Sequence, residues 1–303
     1  MSIDHPLMLP IKNIVTESPN IKTFIFDYNF YAEPGQFCMI WIPGVDEKPF
    51  GIVKREGQDL MITVAAIGHA TKALHQMRIG DKVGFRGPYG SSFTIPARRS
   101  SIALVAGGYG IASLGYLAEE VRKRDVRVHL FLGARTKKDL LYLEWMKNIG
   151  VELHLSTDDG SEGYKGFNTD LFKEYVHRCH PELSTKGRSA SGGDSGSKNK
   201  TGSPIGVGDD KVRFDKVYTV GPEIMEMKIA KICYANNIPF EVSIERYMKC
   251  GFGLCGQCCV DPTGWRMCVE GPVIDGEKLK QITEFGKYHR TASGKVEKYP
   301  WFK

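Results

Sequence analysis

Five of the chain's eight cysteines crowd into nineteen residues: Cys250-Gly-Phe-Gly-Leu-Cys255-Gly-Gln-Cys258-Cys259, then Cys268. Thiolates are soft ligands suited to zinc and to iron–sulfur clusters. The first three cysteines follow C-x4-C-x2-C, the plant-type spacing of a [2Fe–2S] cluster, which takes its fourth cysteine from further along the chain. That assigns Cys250, Cys255, Cys258 and Cys268 as the metal-binding set, with Cys259 as a spare. Glycines at 251, 253 and 256 let the backbone curl and aim its amide hydrogens at sulfur. Structural zinc is the competing chemistry, but zinc sites usually pair CxxC with CxxC, and only one CxxC is present. Buried structural thiols are a third reading, disfavoured by so many cysteines in a glycine-rich run. His177-Arg-Cys179-His180 has no partners at usable spacing and reads as an ordinary helix end.

A second chemical signal is Gly107-Gly108-Tyr109-Gly110, set between the apolar strand Ile102–Ala106 and a helix beginning at Ile111. Glycine in such a turn lets a pyrophosphate approach a helix N-terminus. The run departs from G-x-G-x-x-G, since Ala112 and Ser113 occupy the next places. Gly221-Pro222 after a later strand is a second turn of the same kind. Gly107, Gly108, Gly110, Gly221 and Pro222 are therefore the expected nucleotide contacts, at the carboxyl edge of a sheet.

The elements that must position these groups fall into successive regions. Residues 1–98 contain short strand-like runs (Ile11–Thr16, Ile21–Tyr28, Gln36–Ile42, Pro49–Val53, Leu60–Ile67) separated by turn signals, as in a small antiparallel barrel. A short helix is expected from about Thr71, and Gly87-Pro88-Tyr89-Gly90 reads as a tight turn. Residues 99–245 alternate strands (Ile102–Ala106, Val126–Leu132, Val151–Ser156, Val217–Val220, Phe240–Ile244) with helices (from Ile111, then Lys138–Asn148, Thr169–Cys179, Glu223–Asn237). That alternation implies a parallel sheet covered on both faces. Residues 184–210 interrupt this region; 13 of the 27 are Gly or Ser. Such a composition cannot offset its ordering entropy, so a flexible insertion is expected. Residues 246–276 form the cysteine-rich segment and 277–303 a polar tail.

Composition narrows the function. The 303 residues are 42% hydrophobic and 25% charged, as in a folded globular protein. The net charge of +6 is scattered, with no basic face or module for nucleic acid. No apolar run is long enough to cross a bilayer as a helix. The start, MSIDHPLMLP, lacks the pattern of a secretory signal, so a cytoplasmic location is the default expectation.

Taken together, the barrel, nucleotide region and cysteine run resemble the ferredoxin–NADP reductase superfamily, and within it the electron-transfer subunits of class 1B dihydroorotate dehydrogenases. The resemblance covers nearly the whole chain outside the insertion. It is carried by Ile67-Gly-His-Ala-Thr-Lys-Ala-Leu-His75, Gly87-Pro-Tyr-Gly90, Leu104-Val-Ala-Gly-Gly-Tyr-Gly-Ile-Ala112 and Gly166-Phe-Asn-Thr-Asp170. Val220-Gly-Pro-Glu223 and the run Glu245 to Cys258, continuing to Cys268-Val-Glu-Gly-Pro272, complete it. It implies an α+β multi-domain chain: an antiparallel FAD-binding β-barrel, an α/β parallel-sheet NAD-binding domain and a small [2Fe–2S] domain.

The family's Arg-Pro-x-Ser flavin motif corresponds to Lys48-Pro49-Phe50-Gly51, which keeps the charge but loses the guanidinium fork and the hydroxyl. The next contact strand falls at Thr63-Val64-Ala65, without the basic residue common in relatives. The Gly-Thr pair on the pyrophosphate corresponds to Ala70-Thr71. The resemblance also implies a partner, an FMN-containing dihydroorotate dehydrogenase catalytic subunit, assembled as two of each subunit. Electrons would run from dihydroorotate through FMN, the cluster and FAD to NAD⁺ in pyrimidine biosynthesis, with no acid–base catalyst in this chain. Two other readings are a diaphorase subunit serving a hydrogenase, sulfide dehydrogenase or transhydrogenase, and a non-enzymatic redox or metal sensor.

Overall fold

The computed structural model describes residues 3–54, 60–179 and 213–302. The expected insertion at 184–210 lies outside the described residues.

The first region builds one antiparallel sheet from β1 (Ile3–Ser18), β2 (Ile21–Phe26), β3 (Phe37–Ile42), β4 (Asp46–Gly51), β5 (Leu60–Ala65) and β6 (Lys82–Tyr89), in the order β4-β3-β6-β1-β2-β5. β1 pairs with β6 through its first half and β2 through its second, so one long strand turns the corner of the barrel. Helix α1 (His69–Gln76) closes one end. Phe24, Phe26, Ile40, Ile62, Val64 and Phe85 fill the interior at two-residue spacing, as a pleated sheet with one buried face requires.

Strand β3 departs from simple alternation, because Phe37 and Met39 on its outer face are also buried. They pack with Tyr89, Met248, Val260, Met267, Cys258 and Cys268, which seats the cysteine segment on the outside of the barrel.

The second sheet runs in the order β10-β9-β8-β7-β11-β12-β15. Its strands are β7 (Ser101–Gly107), β8 (Arg127–Ala134), β9 (Glu152–Thr157), β10 (Tyr164–Lys165), β11 (Lys216–Val220), β12 (Phe240–Ser243) and β15 (Val273–Asp275). All pair in parallel except β15, which runs antiparallel to β12. Helix α2 (Ile111–Arg122) covers one face through Leu114, Leu117 and Val121. Helices α4 (Asn168–Cys179) and α5 (Glu223–Ala235) cover the other through Phe172, Val176, Ile229 and Cys233. The expectation of a parallel sheet with helices on both faces is borne out.

Between β12 and β15 the cysteine segment forms the hairpin β13 (Cys259–Val260) and β14 (Trp265–Arg266). The tail is structured: α6 (Gly276–Leu279) is followed by the hairpin β16 (Tyr288–Arg290) and β17 (Val296–Lys298).

Several sequence expectations need correction. Gly87, Pro88 and Tyr89 end strand β6 rather than making a free turn; glycine and proline within that run masked it. Gly84 is needed there, since a Cβ would lie 2.9 Å from the Trp41 ring. The expected helix Lys138–Asn148 is a short 3₁₀ turn at Lys137–Asp139 and a helix, α3, only at Leu143–Asn148. The two sheets are locked together by polar contacts. Tyr116 donates to the Ala32 carbonyl at 2.6 Å, Tyr218 to the Thr94 carbonyl at 2.7 Å, and Thr94 to Glu241 at 2.8 Å.

Candidate redox site

Three features line up along the seam between the sheets: a large cleft at the edge of the parallel sheet, a smaller one against the barrel, and the cysteine loop.

The large cleft, about 470 Å³, opens at the carboxyl ends of β7, β8, β9 and β11. Strand order reverses between β7 and β11, the switch point where parallel sheets bind nucleotides. Gly107, Gly108, Gly221 and Pro222 line it as expected. The two turns touch: a Cβ on Gly221 would meet the Gly107 nitrogen at 3.0 Å. Gly110 does not line the cleft. It is buried at the start of α2, where a Cβ would stand 2.3 Å from the Val220 carbonyl oxygen, so its role is packing. Sequence reasoning missed Arg135, Asp158 and Lys228 in the cleft wall. The first two sit just past the carboxyl ends of β8 and β9, a position signal that was available. The three place two positive charges, Arg135 and Lys228, and one carboxylate, Asp158, in the lining.

The smaller cleft, about 280 Å³, is lined by Pro49, Phe50, Gly51, Thr63, Val64, Ala65 and Thr71, all expected flavin contacts. Lys48 and Ala70 are not in that lining. Lys48 pairs with Asp46 at 2.5 Å and lies over the Tyr247 ring, while Ala70 is buried in the barrel core. Thr71 accepts from the backbone nitrogens of Ile67 and Gly68, which fixes the start of α1. The hydroxyl lost at Gly51 is replaced from another element: Ser113 Oγ stands 2.5 Å from where a Cβ at 51 would be, and Ser113 lines the cleft.

Arg246 also reaches this wall. Its Nε donates to Glu284 at 2.6 Å and its Nη1 to Glu223 at 2.6 Å, while Nη2 has no partner among the described residues. A buried donor left open at a cleft wall suits an acceptor atom of a bound ligand. The two clefts share Tyr109 and Glu245. The Glu245 charge and burial push the Tyr109 phenol up to about 12, so it stays neutral.

The cysteine loop abuts the smaller cleft, and Met248, two residues before Cys250, lines it. Gly251, Gly253 and Gly256 all have positive φ (+83°, +85°, +67°). A Cβ on Gly251 would strike Met39 at 2.7 Å. This curl turns amides toward sulfur: Cys255 N donates to Cys250 Sγ at 3.5 Å, and Gly253 N to Cys268 Sγ at 3.2 Å. Burial raises the Cys250 thiol, but hydrogen bonds from the backbones of Cys255, Phe252 and Leu254 and from the Cys255 side chain together bring it down to about 7. A hydrogen bond from Cys268 brings Cys258 down to about 6, and the same contact raises Cys268.

The thiols thus meet in two pairs, Cys250 with Cys255 and Cys258 with Cys268. No three of their sulfurs fall within 4.8 Å of one another. One tetrahedral zinc at Zn–S of about 2.3 Å would draw all four to within about 4 Å. Two pairs match a two-iron rhomb, with two thiolates per iron. Cys259 is set apart on β13, paired with Arg266 across the hairpin, and burial raises its thiol.

Residues 245–280 match the family model for the iron-sulfur cluster binding domain of dihydroorotate dehydrogenase B. Over 97% of this chain and 98% of the relative, the sequence is 43% identical to a probable dihydroorotate dehydrogenase B (NAD(+)), electron transfer subunit, of Methanocaldococcus jannaschii. The chain belongs to this electron transfer subunit family. The corresponding protein of Methanothermobacter thermautotrophicus is 37% identical over 99% of each chain.

Among solved structures, a NADH-dependent reduced ferredoxin–NADP oxidoreductase, studied for flavin-based electron bifurcation, superposes with a TM-score of 0.68. It is 26% identical, and the match covers 92% of this chain and 94% of that one. The ferredoxin reductase of carbazole 1,9a-dioxygenase shares the fold at TM-score 0.58 and 17% identity, over 77% and 66% of the two chains. As a dihydroorotate dehydrogenase B electron transfer subunit, the chain is an oxidoreductase subunit whose cofactors are an iron–sulfur cluster, FAD and NAD. The family name implies a catalytic partner subunit. No helix among the described residues is long and apolar enough to cross a membrane.

Proposed function

We propose that this chain holds a [2Fe–2S] cluster on Cys250, Cys255, Cys258 and Cys268, FAD in the smaller cleft and NAD in the larger one. It would connect an FMN-containing catalytic subunit that oxidises dihydroorotate to NAD⁺, in an assembly of two of each subunit in the cytoplasm. When bound, NAD exchanges two electrons as hydride, a cluster passes them singly, and a flavin does both, so the flavin belongs between the other two. The observation that carries this reading is spatial order. The smaller cleft shares Tyr109 and Glu245 with the nucleotide cleft and Met248 with the cysteine segment, and so stands between them.

The residues divide the work. Strands β4 and β5 present Pro49–Gly51 and Thr63–Ala65 to one side of the flavin cleft, and α2 presents Ser113 to the same space. Arg246, held by Glu223 and Glu284, offers its open Nη2 as a donor. Gly107, Gly108, Gly221 and Pro222 keep the nucleotide cleft open at the switch point, and Arg135 and Lys228 face it with positive charge. At the far end Cys255 is exposed, and Phe252, Leu254 and Val269 expose apolar side chains around it. That rim is suited to cover by the catalytic subunit, bringing its own carrier close to the thiolate pairs.

The test is a cofactor count on anaerobically purified protein. Acid release should give about one FAD, and analysis about two irons, per chain. FMN as the sole flavin, or no flavin after reconstitution, would overturn the assignment.

A further inference from the structure

A cluster of potential ligands lies away from the redox path, on the α4 face of the parallel sheet. His129 sits on β8, and Glu152 and His154 share one face of the neighbouring β9 by two-residue spacing. His129 Nδ1 lies 3.3 Å from His154 Nε2 and 3.3 Å from Glu152 Oε2. His154 Nε2 lies 3.2 Å from Glu152 Oε1. We propose that these three side chains form a binding site for a zinc-type divalent transition-metal ion, stapling β8 to β9.

The distances fit that ion. Metal–nitrogen and metal–oxygen bonds of about 2.0–2.2 Å at tetrahedral angles place neighbouring ligand atoms about 3.3–3.5 Å apart. The nitrogen–nitrogen distance and the distance from each nitrogen to its nearer Glu152 oxygen fall at or just below this range. Two imidazoles and a carboxylate are also a donor set that suits zinc and its neighbours in the first transition row.

Hydrogen bonding alone serves the group less well. Each neutral imidazole carries a single N–H. If both rings donate to Glu152, each to the oxygen it faces, the 3.3 Å approach of the two ring nitrogens carries no hydrogen bond of its own. If one ring donates to the other, the second ring has no proton left on that nitrogen for the carboxylate. An ion facing the two nitrogens and the carboxylate would accept a lone pair from each of the three residues. Ring stacking does not explain the approach either. The imidazole planes are within 16° of parallel, but their centroids are 5.6 Å apart while the facing nitrogens converge.

The surroundings favour a defined site. Both histidines are buried and packed against Tyr175, with Phe131 stacked on His154 and Phe214 against His129. Burial locks the rings in place, whereas Glu152 is exposed and leaves a route for the ion. Tyr175 OH lies 3.5 Å from His129 Nδ1. His129 is four residues before Gly133, about 13 Å along the strand from the nucleotide cleft. The ion would therefore serve structure rather than electron flow.

The experiment uses holoprotein with its iron–sulfur cluster intact, treated with a mild chelator and then titrated with Zn²⁺ against a chromophoric zinc indicator. The protein should take up about one Zn²⁺ per chain at micromolar free ion, and its thermal midpoint should rise. Glu152→Gln, at an exposed position, should fold normally, lose most of the uptake and show no midpoint shift. His154→Gln should behave likewise. Cys259→Ala, which removes the spare thiol, should leave uptake unchanged. Absence of zinc uptake by the unaltered protein overturns the proposal and leaves a buried hydrogen-bonded histidine pair. Uptake unchanged in Glu152→Gln also overturns it, by placing the ion elsewhere.

Discussion

Gly110→Ala separates packing from ligand binding at the nucleotide cleft. Gly110 has φ −58° and ψ −22°, a conformation that alanine adopts freely. On backbone grounds alone the substitution should stabilise the protein by about 0.4–1 kcal/mol. The surroundings reverse that sign. The added Cβ would stand 2.3 Å from the Val220 carbonyl oxygen and 2.8 Å from its carbon, both backbone atoms that cannot rotate away. Ordinary contact requires the start of α2 and the end of β11 to separate by about 1 Å. Overpacking of this kind costs about 1–3 kcal/mol, leaving a net destabilisation of about 1–2 kcal/mol. The separation falls between the two turns of the nucleotide cleft, where a 1 Å misplacement can cost about 100-fold in rate. NADH-dependent dye reduction should therefore lose about 10- to 100-fold in kcat/KM, while iron and labile sulfide content stay at the unaltered level. Stabilisation of the protein together with unchanged NADH kinetics would refute the reasoning.

Other outcomes follow from the same contacts. Cys259→Ala should keep the visible absorption of the cluster and its paramagnetic signal on reduction, whereas Cys255→Ala should abolish both; the reverse pattern would move the ligand assignment. Arg246→Ala strips the buried partner from Glu223 and Glu284 and should destabilise the fold by about 3–5 kcal/mol, read from the denaturation midpoint. Glu226 is 1% exposed, and burial first, then Glu245, raises its carboxyl well above the ordinary 4.5. The unfolded chain gives up that proton from about pH 4.5 while the folded chain keeps it, so this group's contribution to stability falls as pH rises, by at most about 1.4 kcal/mol per pH unit. Glu226→Gln keeps the acceptor for Gly221 N, and its advantage in thermal midpoint over the unaltered protein should grow between pH 5 and neutrality; an advantage that shrinks would contradict this assignment.

The parts of the site readable in the sequence were those written in local spacing. Cys250, Cys255 and Cys258 lie within nine residues, and their glycines take the positive φ that the curl requires, so pattern and geometry are one fact. Parallel strands such as β7 announce themselves as apolar runs because both faces are covered. Strand β6 was hidden because Gly84 and Gly87 stand in it for reasons of packing against Trp41, Cys38 and Phe37, and Pro88 follows them. β15 has three residues and exists only because β12 offers an edge. Gly110 looked like a ligand contact because its demand for space comes from Val220, 110 residues away. Ser113 filling the place of a residue-51 hydroxyl, and the open Nη2 of Arg246, are likewise products of tertiary contact that one sequence does not display.

The central claim is that this chain carries electrons between the thiolate pairs and the nucleotide cleft through a flavin held between them. Cys258→Ala, studied in complex with the catalytic subunit, tests it most directly. FAD should remain bound and NADH should still reduce it, measured as dye reduction close to the unaltered rate. The cluster's visible and paramagnetic signals should be lost, and dihydroorotate-dependent reduction of NAD⁺ should fall to background. Turnover from dihydroorotate to NAD⁺ near the unaltered rate, with the cluster absent, would contradict the account.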